Sequence, residues 1–124
     1  DLTGVISVVD PNSSVDVYLG VGGGPEGVLA AAALDCLGGQ MQTRLVLSDD
    51  EEINRAKKLG ITDLKKKYNI EDMIKGDVMF CASGVTDGDM LKGIRDKGDS
   101  FEASSFILHK SQKLSKKITN IIKK

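Results

Sequence analysis

The 124-residue sequence contains no tryptophan, only three phenylalanines and only two tyrosines. Surfaces that stack nucleic-acid bases or sugar rings rely on aromatic faces, so this scarcity argues against both. The formal net charge is −1, which gives no overall basic field to hold nucleic acid. No apolar run reaches the length of a membrane-spanning helix, and no charged-then-apolar leader opens the chain. We therefore expect neither nucleic acid nor a membrane as a partner.

Cysteine and histidine are also sparse. Cys36 and Cys81 show neither a CxxC pattern nor metal-ligand spacing, and each lies in an apolar segment. Cysteine in such a segment behaves as a small hydrophobe, so we expect two reduced core thiols in a cytoplasmic protein. His109 is the single histidine, with no second histidine or suitable cysteine beside it. A metal-binding or catalytic-triad role for it is therefore disfavoured.

Acidic residues are absent after Glu102, whereas six lysines follow it. A basic tail can bind phosphates or an anionic surface, but lysines also form solvated edges that discourage strand pairing. The second interpretation is favoured here. The lysine pairs and triplets at 57–58 and 65–67 are interpreted as the solvent-facing sides of helices.

The length suits one domain covering residues 1–124. The chain opens with Asp1 rather than Met, which suggests a piece of a longer protein. β-rich runs predict strands at 5–9, 15–19, 42–47, 78–82 and 101–109. Helical spacing and capping signals predict helices at 25–37, 48–59, 62–74 and 86–95, and 114–122 fits either element. Strands alternating with helices predict an α/β fold, a layered α-β-α domain with a mixed sheet.

The most informative stretch is DVYLGVGGGPEG at residues 16–27. A predicted strand leads into a glycine loop and then into Pro25, which suits the first turn of a helix. Glycines let backbone N–H groups approach an anion, and the helix dipole favours negative charge at this end. The stretch therefore predicts a phosphate-binding site.

Gly22, Gly24 and Gly27 also satisfy the pattern GxGxxG, and Asp49 or Asp50 lies about twenty residues further on. This is the fingerprint of a dinucleotide-binding fold, whose acid binds the ribose. A nucleotide-binding module without phosphatase activity is therefore an alternative function.

Glu26 distinguishes between these two kinds of phosphate site. A carboxylate in the first turn would repel a pyrophosphate resting there, since two like charges about 4–6 Å apart cost about 1–4 kcal/mol. A divalent cation removes the conflict, because one carboxylate and one phosphate can share the same metal. The simpler alternative is a solvent-facing acid that stabilises the helix dipole by about 0.3–1 kcal/mol. The motif fits a metal-assisted phosphate site better than a nicotinamide site.

The run at 15–44, VDVYLGVGGGPEGVLAAAALDCLGGQMQTR, closely resembles the segment of class II fructose-1,6-bisphosphatases around their GGxPEG motif. The resemblance continues through FCASGVTDGD at 80–89 and becomes general after residue 101. Gly24 stands where many members have Ala, and the stretch 48–75 is shorter and richer in lysine than expected. The resemblance implies the C-terminal half of a fold in the lithium-sensitive sugar-phosphatase superfamily.

The resemblance also implies an activity and site residues. The enzyme would remove the 1-phosphate of fructose 1,6-bisphosphate with Mg²⁺ or Mn²⁺ in gluconeogenesis, and some relatives also accept sedoheptulose 1,7-bisphosphate. Glu26 matches a metal-ligand glutamate and Gly23 a glycine whose backbone contacts substrate. Asp1 matches the second acid of a DGD substrate-binding motif. The full-length enzyme is expected to be a homo-oligomer.

This chain has no counterpart of the family's other metal-binding acids, nor of the lysine and arginine that bind phosphate in the family. One glutamate cannot supply the oxygen ligands that Mg²⁺ requires, so we expect the chain alone to be catalytically inert. A plain interaction domain, exposing the face that its missing half would cover, is a third possible function. The polar residues Ser83, Thr86, Asp87 and Asp89 could bind a ligand at a strand end, although helix capping by Thr86 is favoured.

Overall fold

A computed structural model describes residues 2–124, and the helices and strands within that range confirm the expected α/β class. The helices are α1 (Leu2–Ser7), α2 (Gly24–Leu37), α3 (Asp50–Lys58) and α4 (Ile70–Met73). The strands are β1 (Gln42–Arg44), β2 (Lys67–Asn69), β3 (Met79–Ser83), β4 (Arg95–Asp96), β5 (Ser100–His109) and β6 (Leu114–Lys123). None of the helices in this range is both long and apolar enough to span a bilayer.

The larger sheet is built around β5. Strands β3 and β4 pair with successive parts of one edge of β5, and β6 pairs along the whole of the other edge. Strands β1 and β2 form a separate two-stranded sheet. Every pairing within residues 2–124 is antiparallel, and the parallel pairs that a mixed sheet also needs are not found there.

Helix α2 is the centre of the hydrophobic core. Residues 30–34, AAAAL, are buried on all sides, as expected for a helix that is apolar all round. The small alanine side chains allow close packing, and Ala33 belongs to one buried cluster with Phe80, Phe106 and Leu108 of the sheet. The helix ends as predicted, at Gly38, which takes the left-handed conformation with φ 73°.

One face of the larger sheet points away from α2. This face carries Met79 and Ile122, which are 59% and 55% exposed, together with Cys81. The expectation of two core thiols is therefore wrong for Cys81, whose strand position turns it outward. Cys36 is half-buried on α2, and burial raises the pKa of its thiol. The described residues thus place one helical layer against the sheet.

Two predicted strands near the start of the chain are not formed. Residues 5–9 lie largely in helix α1, because Leu2, Val5, Ile6 and Val9 recur at helical spacing and pack against α2. Residues 15–19 have no regular secondary structure.

Two predicted helices are also wrong. Most of 62–74 forms a turn and β2, and only the short helix α4 remains, capped by Asn69 and Asp72. Lysines 65–67 therefore lie in that turn and strand rather than on a helix. Residues 86–95 form a loop closed by hydrogen bonds from Gly88 N–H to the Leu91 carbonyl and from Ile94 N–H to the Val85 carbonyl.

Candidate functional site

The glycine loop leads directly into the N-terminus of α2. Gly23 is the N-cap, with extended backbone (φ −69°, ψ 156°), and its carbonyl accepts a 3.0 Å hydrogen bond from Gly27 N–H. Pro25 in the first turn has no N–H that would need a partner there. The predicted start of the helix at residue 25 is confirmed to within one residue, since α2 begins at Gly24. Glu26 is the acidic residue of the first turn of α2.

The Glu26 side chain folds back over Gly23. A Cβ atom added to Gly23 would overlap Glu26 Oε2 and would lie 3.3 Å from the carboxyl carbon. The space that a side chain at position 23 needs is therefore taken by the carboxylate. Glycine at this position lets the acid lie against the bare backbone at the helix N-terminus, and Glu26 stays exposed to solvent.

The neighbouring glycines leave open space around the loop. Cβ atoms added to Gly22, Gly24 or Gly27 would meet nothing within 4 Å. The loop therefore has room for a ligand beside these three glycines, and the Glu26 carboxylate is the side chain that such a ligand would meet at Gly23. Bare amides and a carboxylate at one helix end can bind a phosphoryl group together with a cation.

The described residues do not complete a metal site around Glu26. Within residues 2–124 no cluster of three or more His, Cys, Asp or Glu side chains is arranged to hold a metal ion. Glu26 offers one carboxylate, whereas Mg²⁺ requires near-octahedral oxygen coordination. The predicted substrate-binding residue Asp1 lies outside the described residues.

The dinucleotide-binding interpretation does not fit the observed topology. That fold needs a strand before the glycine loop and a parallel strand after the helix. The strand that follows α2 is β1, and it pairs in antiparallel with β2. Of the two candidate ribose-binding acids, Asp50 lies in the first turn of α3 and Asp49 is its N-cap, whose Oδ1 accepts a 2.8 Å hydrogen bond from Glu52 N–H.

The polar loop after β3 is tied down by an ion pair. Asp87 accepts hydrogen bonds from Arg95 at 2.6 and 2.7 Å and from Gly93 N–H at 2.9 Å. The Arg95 guanidinium, followed by the Gly93 amide, lowers the pKa of Asp87. The prediction that Thr86 caps a helix is wrong, because residues 86–95 form a loop and not a helix. The hydroxyl of Ser83 lies 2.7 Å from that of Ser105 across the strand pair.

A second polar cluster, which the sequence pattern did not indicate, joins Asp77, His109 and Ser111. Asp77 Oδ2 lies 2.8 Å from His109 Nε2 and accepts a 2.6 Å hydrogen bond from the Ser111 hydroxyl. Hydrogen bonds from Ser111 and then His109 lower the pKa of Asp77 to about 2. The serine and the aspartate both lie at Nε2, with Ser111 Oγ 3.3 Å away, whereas a catalytic triad uses opposite ring nitrogens. The cluster ties the start of β3 to the β5–β6 hairpin.

Two of the six C-terminal lysines form ion pairs. Lys110 Nζ lies 2.9 Å from Asp35, and Lys124 Nζ lies 2.8 Å from Asp96. Three others, Lys116, Lys117 and Lys123, lie exposed on β6. This arrangement agrees with a solvated lysine-rich edge.

Comparison with known proteins identifies the family of the chain. The family model for bacterial, glpX-encoded fructose-1,6-bisphosphatase matches residues 1–122. The chain is 37% identical to the fructose-1,6-bisphosphatase class 2 of Haemophilus influenzae and 33% identical to fructose-1,6-bisphosphatase 1 class 2 of Escherichia coli K12. Each comparison covers 98% of this chain but 40% of the relative, so the chain spans well under half the length of these relatives. The chain belongs to the family of bacterial class II fructose-1,6-bisphosphatases.

Proposed function

We propose that this chain is the C-terminal part of a class II fructose-1,6-bisphosphatase. The whole enzyme would hydrolyse the 1-phosphate of fructose 1,6-bisphosphate with Mn²⁺ or Mg²⁺ in gluconeogenesis, in the cytoplasm and as a homo-oligomer. Sedoheptulose 1,7-bisphosphate would be a second substrate. The observation that carries this proposal is the family match over residues 1–122 together with Glu26 folded onto Gly23 at the start of α2.

The roles of the site residues are those that the resemblance to the family implies. Glu26 would contribute one carboxylate ligand to a divalent cation, and Gly23 and its neighbours would line the sugar-phosphate pocket with backbone N–H groups. Asp1 would bind substrate. The remaining metal ligands would come from the part of the enzyme that this chain does not match, because residues 2–124 hold no cluster of three possible ligands.

The same reasoning makes the isolated chain inactive. A single exposed carboxylate holds a divalent cation weakly, and it offers nothing to position an attacking water or to neutralise a leaving phosphate. We therefore expect no phosphate release above background from residues 1–124 alone, with or without Mn²⁺.

The test is a chimera in which this chain replaces the matched region of the Haemophilus influenzae relative. Phosphate release from fructose 1,6-bisphosphate is measured with Mn²⁺ and after chelation. We expect Mn²⁺-dependent activity in the chimera and none in the isolated chain. A folded chimera without activity, or activity in the chain alone, would contradict the proposal.

A further inference from the structure

Residues 16–22, between α1 and the N-terminus of α2, have no regular secondary structure and no hydrogen-bonded partner strand within residues 2–124. Among residues 2–124, their backbone N–H and C=O groups make no hydrogen bond to other backbone groups or to side chains. Backbone polar groups in folded proteins are normally paired in secondary structure or with water. Seven consecutive residues without a protein partner therefore stand out in an otherwise hydrogen-bonded chain.

The side chains of this segment alternate as those of a strand do. Val15, Val17, Leu19 and Val21 occupy every second position, and in a strand such positions share one face. Val17 is 70% exposed, Leu19 89% and Val21 84%. These are β-branched or large apolar residues at the positions where a buried strand would carry them.

Tyr18, which lies between these positions, contacts the helix before the segment. A Cβ added to Gly4 of α1 would approach the Tyr18 ring to 2.5 Å. The contact with α1 is thus made by Tyr18, while Val17, Leu19 and Val21 remain largely exposed.

The exposed edge of β6 behaves differently. Lys116, Lys117 and Lys123 line that strand, and charged residues on an edge discourage further pairing. Residues 15–22 carry one charged side chain, Asp16. One edge of the molecule is therefore protected against strand addition, whereas the segment is not.

We infer that residues 15–21 are a β-strand whose partner strand lies in the part of the enzyme that this chain does not match. This inference rests on the proposed function. Residues 1–122 of this chain match the family, but the chain covers only 40% of the length of its Haemophilus influenzae relative. The rest of such a relative, more than half of its length, is long enough to contain a partner strand. Pairing by main-chain hydrogen bonds, with apolar side chains packed on one face, would satisfy both features of the segment.

Pairing would also position the glycine loop. The segment runs without interruption into Gly22, Gly23 and the first turn of α2. A strand fixed in a sheet holds the loop at its end, which is where open α/β sheets bind ligands. The same contact would therefore both cover the apolar side chains and orient the backbone that we propose to bind the sugar phosphate.

The inference is tested by amide hydrogen exchange in the isolated chain and in the chimera. In the isolated chain the amides of 16–22 should exchange at nearly the unprotected rate. In the chimera the amides of 15–21 that point towards the partner strand, which are every second one, should exchange at least about 100-fold more slowly. Unprotected amides in a folded chimera would overturn the inference. Protection that appears in the isolated chain as its concentration rises would also overturn it, because the partner would then be a second copy.

Two exposed leucines provide a matched pair of variants. Leu19 is 89% exposed and Leu59, at the end of α3, is 75% exposed. Leu19→Asn and Leu59→Asn introduce a polar but uncharged side chain, because a new carboxylate at Leu59 would oppose the dipole at the end of α3. Both should leave the melting temperature of the isolated chain unchanged, since neither side chain is buried there. In the chimera, Leu19→Asn should reduce protection of the paired amides at least about 10-fold or prevent folding, while Leu59→Asn should do neither.

Equal effects of the two variants in the chimera would refute the strand. The outcome is separable from that of the proposed function. Protected amides without phosphate release would refute the proposed function and leave the strand standing. Phosphate release with unprotected amides would refute the strand alone.

Discussion

Replacing Gly23 by alanine should separate stability from activity. The Gly23 backbone, with φ −69° and ψ 156°, is in a region that alanine adopts without strain. Alanine reduces the entropy of the unfolded chain, which favours folding by about 0.4–1 kcal/mol. It is also a poorer N-cap than glycine, by about 0.5–1 kcal/mol. The two effects nearly cancel, so the free energy of unfolding should change by less than about 1 kcal/mol.

The new methyl group must nevertheless displace the Glu26 carboxylate, because the added Cβ would overlap Oε2. The carboxylate is the far end of a flexible side chain, so it can rotate away at little cost in stability. It would then lie away from the position where we propose that it binds the cation. Misplacement of a reacting group by about 1 Å can cost about 100-fold in rate. We expect the Gly23→Ala chimera to lose at least about 10-fold in phosphate release.

Gly24→Ala is the matched control. A Cβ at Gly24 meets nothing within 4 Å, and the residue is the first of the helix, just before Pro25. Alanine lowers the entropy of the unfolded chain, whereas a side chain before proline disfavours the helical region, so the two effects oppose each other. This variant should change the melting temperature by no more than a few degrees and keep its activity. Thermal unfolding of the chain and phosphate release by the chimera measure both quantities. The interpretation fails if Gly23→Ala retains full activity, or if it unfolds the chain.

Two further predictions concern the sheet. Leu108 is fully buried against Phe80, and Leu108→Ala should lower the free energy of unfolding by about 2–5 kcal/mol in denaturant titrations. Asp77 has a pKa of about 2 in the folded chain, below its ordinary value of 3.8. Its ionised carboxylate, with the hydrogen bonds that it accepts, therefore stabilises the fold above about pH 4, and this stabilisation is lost as the pH falls towards 2. Asp77→Asn should therefore flatten the dependence of melting temperature on pH between 5 and 2.

Matched controls exist for both. Ile121 is 72% exposed on β6, and Ile121→Ala should change the free energy of unfolding by less than about 0.5 kcal/mol. If it cost as much as Leu108→Ala, the assignment of the core would be wrong. Asp89 makes no hydrogen bond to residues 2–124 in the loop after β3, so Asp89→Asn should keep the acid dependence of the unsubstituted chain. An equally steep pH profile in Asp77→Asn would show that the cluster with His109 and Ser111 does not form.

The elements that the sequence predicted well are those whose pattern agrees with their burial. The alanine-rich run after Pro25 forms α2 and ends at Gly38 as expected. Strands β3 and β5 nearly coincide with the predicted 78–82 and 101–109. Local propensity and tertiary packing favour the same structure at these places, and for that reason local reasoning was sufficient.

The wrong predictions are those in which distant contacts decide the structure. The Thr86–Asp89 pattern resembles a helix cap, but Asp87 instead binds Arg95, eight residues away. The two ends of the loop lie close together, since a Cβ added to Gly93 would come within 2.8 Å of Thr86 Cα. No periodicity in the sequence indicates such a contact. The pairing of β1 with β2 across more than twenty residues likewise replaces most of the predicted helix at 62–74.

The candidate site was partly predictable. The position of Glu26 at a helix N-terminus followed from the sequence, and the structure places it there. The contact between the Glu26 carboxylate and Gly23 could not be predicted from the sequence, since this contact depends on the conformation of the Glu26 side chain. The cluster of Asp77, His109 and Ser111 was missed because it joins the start of one strand to the hairpin after another, over 34 residues.

The dependence of the chimera's activity on Mn²⁺ concentration tests the central claim about Glu26 most directly. Glu26→Gln removes the charge and keeps the shape, and Glu51→Gln makes the same change in the first turn of α3, away from the glycine loop. The Mn²⁺ concentration for half-maximal activity should rise at least about 10-fold in Glu26→Gln and stay constant in Glu51→Gln. An unchanged Mn²⁺ requirement in Glu26→Gln would contradict the account.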